Sequence, residues 1–109
     1  MQRLSDRVAI VTGGTGGLGK EVVSKFLEEG AKVFSTYTRK EGLEACKVLR
    51  DEYKSSLIFG KADVTKENHM AKVVSKTVEI FNKVDLLVNI VGASRVRALW
   101  ILILILGTR

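Results

Sequence analysis

Short apolar runs alternate with segments of helical spacing along the first 90 residues, and this order constrains the fold more than any other feature. The runs are Val8–Thr12 (VAIVT), Lys32–Tyr37 (KVFSTY), 57–62 and 85–90. Short continuous apolar runs are typical of strands that are buried on both faces. Helical segments between them predict a βαβαβαβ order, hence an α/β domain built on a doubly wound parallel sheet with right-handed crossovers.

Three helices are predicted between the strands, because apolar side chains recur there at intervals of three or four residues. Their apolar faces are, in chain order, Leu18, Val22, Val23, Phe26 and Leu27; then Leu43, Cys46, Leu49 and Tyr53; then Met70, Val73, Val74, Thr77 and Phe81. Gly30 is expected to end the first helix in a left-handed conformation. Thr65 is expected to cap the third helix with its hydroxyl.

The length and the cysteine count exclude several classes of protein. A chain of 109 residues allows one domain and little more. With a single cysteine (Cys46) and a single histidine (His69), neither a disulfide framework nor a zinc cluster is expected, and both residues are interpreted as structural. No charged leader precedes the five-residue apolar run Val8–Thr12. We therefore expect no secretion signal and a cytoplasmic location.

The formal net charge of +6 is unevenly distributed. Residues 93–109 contain Arg95, Arg97 and Arg109 and no acidic residue, which leaves +3 for residues 1–92, where Lys and Glu are interspersed. This pattern is typical of a solvated surface. No aromatic residues interleave a basic cluster, so no nucleic-acid partner is expected.

A glycine-rich segment, Thr12–Gly19 (TGGTGGLG), lies between the first predicted strand and the first predicted helix. The first turn of a helix presents free N–H groups and positive partial charge, which favour a pyrophosphate. Glycines allow the tight turn and let phosphate oxygens approach the backbone closely. The alternative is a flexible turn without a ligand, but the strand–loop–helix context favours a dinucleotide site.

Three motifs in this order resemble those of the short-chain dehydrogenase/reductase family. The segment Thr12–Gly19 is similar to the family's TGxxxGxG cofactor loop, Asp63-Val64 to its adenine-binding aspartate segment, and Asn89–Gly92 (NIVG) to its NNAG segment. In the last motif Ile90 and Val91 depart from the family pattern. The resemblance covers about residues 4–92 and implies a Rossmann-like sheet in the order 3-2-1-4, truncated to four strands and three helices. It also implies cofactor contacts from Thr12, Gly13, Thr15, Gly17, Leu18, Gly19, Asp63, Val64, Asn89 and Gly92.

Two of these residues have a structural alternative. Asp63 is followed by Val64 and Thr65 just before a predicted helix, so it could serve as a capping residue alone. Asn89 could equally be a turn residue at the end of its strand.

The end of the second strand favours NADP(H) over NAD(H). An acidic side chain about 20 residues after the glycines would bind a ribose 2′-hydroxyl, whereas a basic one accommodates a 2′-phosphate. The residues in this window are Tyr37, Thr38, Arg39 and Lys40, with no acid before Glu41. Arg39 offers a planar fork suited to phosphate oxygens. The alternative is that Arg39 and Lys40 only solvate a loop, and the loop position Gly16 lacks the basic side chain of some NADP-using relatives.

No catalytic residue can be identified in the chain. The resembled family transfers a hydride between a nicotinamide and a carbonyl or alcohol carbon, and uses a Tyr-x-x-x-Lys pair and a Ser. Tyr37 and Tyr53 are followed four residues later by Glu41 and Leu57, so neither forms the pair. Ser94 lies too soon after the fourth strand to be the catalytic Ser.

The character of the sequence changes in residues 93–109, which are interpreted as an atypical apolar segment and not as a domain. Its run Ala98–Leu106 has nine apolar residues, far fewer than the roughly 20 that span a bilayer as a helix. It also follows the fourth strand too closely to be the next parallel strand. An antiparallel strand or an exposed segment remain as alternatives.

Three hypotheses for the whole chain follow. The favoured one is the cofactor-binding part of an NADP-dependent reductase whose coding frame is broken or cut near residue 93. The second is a binding or regulatory module that holds a dinucleotide without turnover. The third, a membrane-surface or docking role for residues 93–109, is disfavoured because a pure apolar run lacks a polar face. Apolar surface beyond the fourth strand predicts self-association.

Overall fold

A computed structural model describes residues 3–13 and 15–90. Its strands are β1 (Val8–Thr12), β2 (Lys32–Tyr37), β3 (Leu57–Lys61) and β4 (Leu86–Asn89). They form one parallel sheet in the order β3-β2-β1-β4. The predicted fold class and strand order are therefore confirmed. Predictions for Gly92 and for residues 93–109 lie outside the described residues.

The helices are α1 (Gly17–Glu28), α2 (Lys40–Ala45), α3 (Lys47–Glu52) and α4 (Glu67–Phe81). The prediction of one continuous second helix was wrong, because the chain breaks at Cys46, where φ is −102° and ψ is 15°. At the break, the ammonium of Lys20 on α1 donates a hydrogen bond to the carbonyl oxygen of Ala45, at 3.0 Å. None of the described helices is long and apolar enough to cross a membrane.

Each face of the sheet is covered by a separate apolar core. Val11 and Val33 point to one face, where they pack with Val23 and Leu27 of α1. The alternate strand residues point to the other face. There Ile10 and Phe34 pack with Val73 of α4, Ala62 and Val84. This two-sided burial explains why β1, all of whose residues are buried, is apolar from Val8 to Val11 and not only at every second position.

The predicted helix ends are partly confirmed. Gly30 follows α1 with φ +94°, as expected for a left-handed glycine. Thr65 does not cap α4, which begins at Glu67, because its hydroxyl donates to Asp63 instead. Leu18 was expected on the apolar face of α1, but it is 41% exposed.

A buried carboxylate joins β1 and β4 at the amino ends of the strands. Oδ2 of Asp85 accepts a hydrogen bond from the N–H of Val8 at 2.8 Å, and the Lys83 ammonium lies 3.1 Å from the same oxygen. Burial alone would raise the pKa of Asp85, but the Val8 N–H and the nearby charges of Lys83 and Arg7 outweigh it, so the pKa is lowered. Asp85 is therefore an ionised clamp at the end of the sheet opposite the glycine-rich loop.

Candidate functional site

A groove of about 280 Å³ opens at the carboxyl edge of the sheet. It lies between the β1–α1 loop, the end of β2 and the segment after β3. Its lining residues are Gly13, Thr15, Gly16, Leu18, Gly19, Thr36, Tyr37, Thr38, Ala62, Val64 and Ile90. In open α/β sheets ligands bind at this edge, where the strand order reverses, and here that point lies between β1 and β4.

Gly13 takes a backbone conformation that side chains disfavour, with φ +77°. A Cβ at this position would lie 2.7 Å from the carbonyl oxygen of Ile90, so the backbone after β4 occupies the space of a side chain. The N–H of Gly13 donates to the hydroxyl of Thr36 at 3.0 Å. Glycine is therefore required here by both φ and close packing, and the loop is fixed to β2 and to the end of β4.

The first turn of α1 is open toward the groove. Gly16 precedes the helix without a side chain to cap it, and the first turn contains no acidic residue. Space for a Cβ is free at both Gly16 and Gly17. Backbone N–H groups and the positive end of the helix dipole are thus accessible to an oxyanion, with no resident carboxylate competing for them.

Thr12 and Asn89 lie side by side at the ends of β1 and β4. They are register partners, and the hydroxyl of Thr12 donates a short hydrogen bond to Oδ1 of Asn89. Both residues border a second cavity of about 300 Å³ on the α4 side of the sheet, whose apolar lining includes Met70, Val74 and Leu87. Asn89 thereby contributes to the base of the loop through Thr12.

Asp63 lies two residues after β3, just before a turn, and its carboxylate is held by hydrogen bonds. Its Oδ1 accepts from both the N–H and the hydroxyl of Thr65, at 3.0 Å and 2.6 Å. These two hydrogen bonds lower the pKa of Asp63, against a smaller opposing effect of desolvation. The backbone N–H of Asp63 donates to Nδ1 of His69 at 3.0 Å. Two side chains on the following segment therefore hold this residue in place.

Arg39 is exposed and directly precedes α2. It follows Thr38, which lines the groove, by one residue. The same helix touches the glycine-rich loop: a Cβ at Gly42 would lie 2.7 Å from the hydroxyl oxygen of Thr15. The first turn of α2 is thus in close contact with the loop, which keeps the basic segment at the rim of the groove.

The structure brings most of the predicted site residues to one edge, in four positions. Those that line the groove are Gly13, Thr15, Leu18, Gly19 and Val64. Thr12 and Asn89 lie beneath the loop, Gly17 begins α1, and Arg39 and Asp63 follow the neighbouring strands β2 and β3. Gly92 lies outside the described residues.

Thr36 completes this site and was not predicted from the sequence. Its hydroxyl accepts the Gly13 N–H, and Tyr37 and Thr38, which were predicted only as part of the window that distinguishes the two cofactors, line the groove. A signal existed for Thr36, because it is a polar residue near the carboxyl end of an otherwise buried strand. No local signal existed for His69, whose partner Asp63 lies six residues away across a turn.

Comparisons with known proteins agree with this geometry. The family described as short chain dehydrogenase matches residues 7–100, whereas the motifs identified above end at Gly92. The chain is 35% identical over 89 residues to 3beta-hydroxysteroid dehydrogenase 2 of Eggerthella lenta. The matched segment covers 82% of this chain and 34% of that protein. It is 38% identical over 93 residues to xanthoxin dehydrogenase of Arabidopsis thaliana, covering 84% of this chain and 33% of the relative. It therefore spans about a third of the length of these curated relatives.

Solved structures show the same fold. Glucose dehydrogenase of Caenorhabditis elegans in its apo-form superposes with a TM-score of 0.72 at 34% identity, over 80% of this chain and 38% of that one. A blue fluorescent protein from a metagenomic library, solved in complex with NADPH, superposes with a TM-score of 0.73 at 27% identity, over 80% of this chain and 36% of that one.

Proposed function

The chain belongs to the short-chain dehydrogenase family, and from that premise we propose that its groove binds a nicotinamide dinucleotide, with NADP(H) preferred to NAD(H). One observation carries the proposal above the others. The glycine-rich loop presents the uncapped, acid-free first turn of α1 to an open groove at the edge of the sheet where its strand order reverses.

The pyrophosphate is assigned to the loop from Gly13 to Gly19. The open space at Gly16 and Gly17 lets phosphate oxygens approach the backbone, and Thr15 borders the same groove. The contacts of Gly13 with Thr36 and Ile90 hold the loop in its conformation, so little ordering is needed when the ligand binds.

The adenine ring is assigned to Asp63 and Val64. Thr65 holds Oδ1 of Asp63, and we assign the other oxygen to the exocyclic amino group of the adenine. A lowered pKa keeps this carboxyl ionised and therefore an acceptor at neutral pH. Val64 lines the groove and supplies an apolar surface for the ring.

The 2′-phosphate is assigned to Arg39, with Lys40 beside it. Both follow the end of β2, where the ribose of a dinucleotide lies in doubly wound sheets. The contact between Gly42 and Thr15 keeps this basic segment near the loop that would hold the pyrophosphate. A guanidinium binds phosphate with two parallel hydrogen bonds, so the charge favours NADP(H).

The dinucleotide supplies hydride chemistry when it is bound, and in the whole protein we propose an oxidoreductase reaction on a carbonyl or alcohol carbon. Neither Tyr37 nor Tyr53 is proposed as the general acid or base of this reaction. Tyr53 packs against the core of the α1 side, and Tyr37 lines the groove beside the loop. The chain on its own is proposed to bind without turnover, which the second hypothesis of a non-catalytic binding module also predicts.

The proposal also covers the location and partners of the chain. The chain is proposed to lie in the cytoplasm, with no nucleic-acid or membrane partner. The apolar cavity beside Met70, Val74 and Leu87 is proposed to promote self-association. Sizing by light scattering should show oligomers, whereas a monodisperse monomer would contradict this part of the proposal.

Calorimetric titration of the chain with NADPH and with NADH at low salt tests the cofactor assignment. The proposal predicts saturable binding of both, with NADPH bound about tenfold or more tightly because one additional charge-assisted contact is made. Equal affinities would reject the preference for NADP(H), and no binding of either would reject the dinucleotide site. Assays with a panel of carbonyl compounds should show no oxidation of NADPH, and turnover would reject the assignment of this chain as catalytically incomplete.

A further inference from the structure

A second groove, of about 210 Å³, lies on the α4 side of the sheet near the edge strand β3. Its lining residues are Phe34, Lys61, His69, Lys72, Val73 and Lys76. We propose that this groove binds a small phosphate monoester whose organic part is apolar. The groove shares no lining residue with the glycine-loop groove, although His69 contacts Asp63, to which the adenine is assigned above.

The floor of the groove is apolar and is shaped by a glycine. A Cβ at Gly60 would lie 2.6 Å from the Cζ atom of Phe34, so the phenyl ring lies against the bare backbone of β3. Val73 of α4 lines the groove beside it. This flat surface suits an aromatic or aliphatic group of a ligand.

The rim of the groove carries only positive charge among its lining residues. Lys61 is the last residue of β3, and Lys72 and Lys76 lie one turn apart on α4, where like charges repel and reduce helix stability. Within residues 3–13 and 15–90, none of the three ammonium groups lies within 4.0 Å of a carboxylate. The interspersed lysines of the sequence are typical of a solvated surface, but three of them line this one groove. A phosphate would relieve their repulsion.

His69 adds an oriented hydrogen-bond donor to the same rim. Its Nδ1 accepts the N–H of Asp63 at 3.0 Å, so the neutral ring carries its proton on Nε2. Because this contact holds the ring and His69 lines the groove, we assign its Nε2–H group as a donor to a ligand there. A donor, three ammonium groups and an apolar floor match a phosphate monoester better than inorganic phosphate.

Nuclear magnetic resonance of His69, the only histidine of the chain, tests this proposal directly. The full chain, labelled with ¹⁵N in histidine, is titrated with phenyl phosphate and separately with methyl phosphate. Phenyl phosphate should shift the Nε2 resonance saturably, with a Kd on the order of 1 mM, as expected for a ligand of this size. Methyl phosphate should bind at least about threefold more weakly, because it leaves the floor uncovered.

Paired charge variants locate the site. The variant K72Q/K76Q should raise the Kd for phenyl phosphate about tenfold or more, because two charge-assisted contacts are lost. The control K47Q/K54Q removes the same amount of charge outside the groove, at the first residue of α3 and two residues after its end. It should change the Kd less than about twofold. Should K72Q/K76Q fail to fold, judged by the dispersion of its amide spectrum, K61Q replaces it. A shift that does not saturate, an unchanged Kd in the groove variants, or methyl phosphate binding as tightly as phenyl phosphate would each overturn the proposal.

Discussion

The hydroxyl of Thr12 donates a hydrogen bond to the side-chain carbonyl oxygen of Asn89, although the two residues are 77 positions apart in the chain. They are register partners at the carboxyl ends of β1 and β4. The next residues are also in contact, since the N–H of Ile90 donates to the carbonyl oxygen of Thr12 and the Ile90 carbonyl packs against Gly13. The base of the glycine-rich loop is therefore supported by β4, and the conformation of the proposed cofactor loop depends on that strand.

A double-mutant cycle measures this support. Thr12→Val and Asn89→Ala each remove one partner of the hydrogen bond, so their effects on the free energy of unfolding should be coupled by about 1 kcal/mol. Urea unfolding of the wild type, both single variants and the double variant gives the coupling. Effects that add within about 0.3 kcal/mol would show that the hydrogen bond carries no net stability.

Replacing Gly13 should damage both stability and binding. Gly13→Ala places a Cβ against the Ile90 carbonyl at φ +77°, so the free energy of unfolding should fall by about 1–3 kcal/mol. The affinity for NADPH should fall as well, because the loop must shift. Gly17→Ala is the matched control for stability: its Cβ enters open space at the start of α1, and stability should be unchanged or rise by up to about 1 kcal/mol. Equal losses in the two variants would contradict the geometry.

Asp85 should make the protein sensitive to acid. The pKa of Asp85 is lowered in the folded state, so its stabilisation is present above the unfolded pKa of about 4 and is lost as the pH falls through the folded pKa. Asp85→Asn should lower the free energy of unfolding at pH 7 by about 1–3 kcal/mol, because the ionised partner of Val8 and Lys83 is lost.

Urea unfolding from pH 7 to pH 2 measures this effect. The variant should lose less stability than the wild type below about pH 4. Part of the acid dependence should remain in the variant, because the pKa values of Glu29 and Asp63 are also lowered. Asp51→Asn, an exposed change on α3, serves as the control and should follow the wild-type curve. Parallel curves for Asp85→Asn and the wild type would refute the role of this carboxylate.

Reversing the charge of Arg39 should change the cofactor preference. Arg39→Asp should raise the Kd for NADPH about tenfold or more, through loss of a contact to the 2′-phosphate, and leave the Kd for NADH equal or lower. Arg50→Asp, which makes the same charge change at the far end of α3, should alter both Kd values by less than about threefold. If both variants weaken NADPH equally, the preference comes from net charge and not from a contact at Arg39.

The sheet could be predicted because its strands are short and largely apolar, a pattern that buried parallel strands impose locally, whereas the strand order was implied by the family resemblance. The break of the second helix could not be predicted. At the break the Ala45 carbonyl accepts a hydrogen bond from Lys20, a residue that is distant in sequence and gives no local signal. The prediction that Thr65 caps the third helix failed for a related reason. Its hydroxyl could bond either to the start of the helix or to Asp63, and it bonds to Asp63.

The glycine-rich loop could be located from the sequence because its composition is itself the functional requirement. The residues that hold this loop in place could not be predicted. The contacts of Gly13 with Thr36 and Ile90 join the ends of three strands, which only the folded sheet brings together. The basic groove around His69 was likewise hidden, because Lys61 of β3 and Lys72 of α4 line one groove only in the folded chain.

Amide chemical-shift mapping with NADP⁺ shows whether the dinucleotide binds at the glycine-rich loop. The uniformly ¹⁵N-labelled full chain is titrated, and the residues whose amide resonances move are identified. We expect saturable shifts concentrated at Gly13, Gly16, Gly19, Thr38 and Asp63, around the groove at the carboxyl edge of the sheet. Shifts that do not saturate, or that concentrate at the opposite edge around Val8 and Asp85, would contradict this expectation.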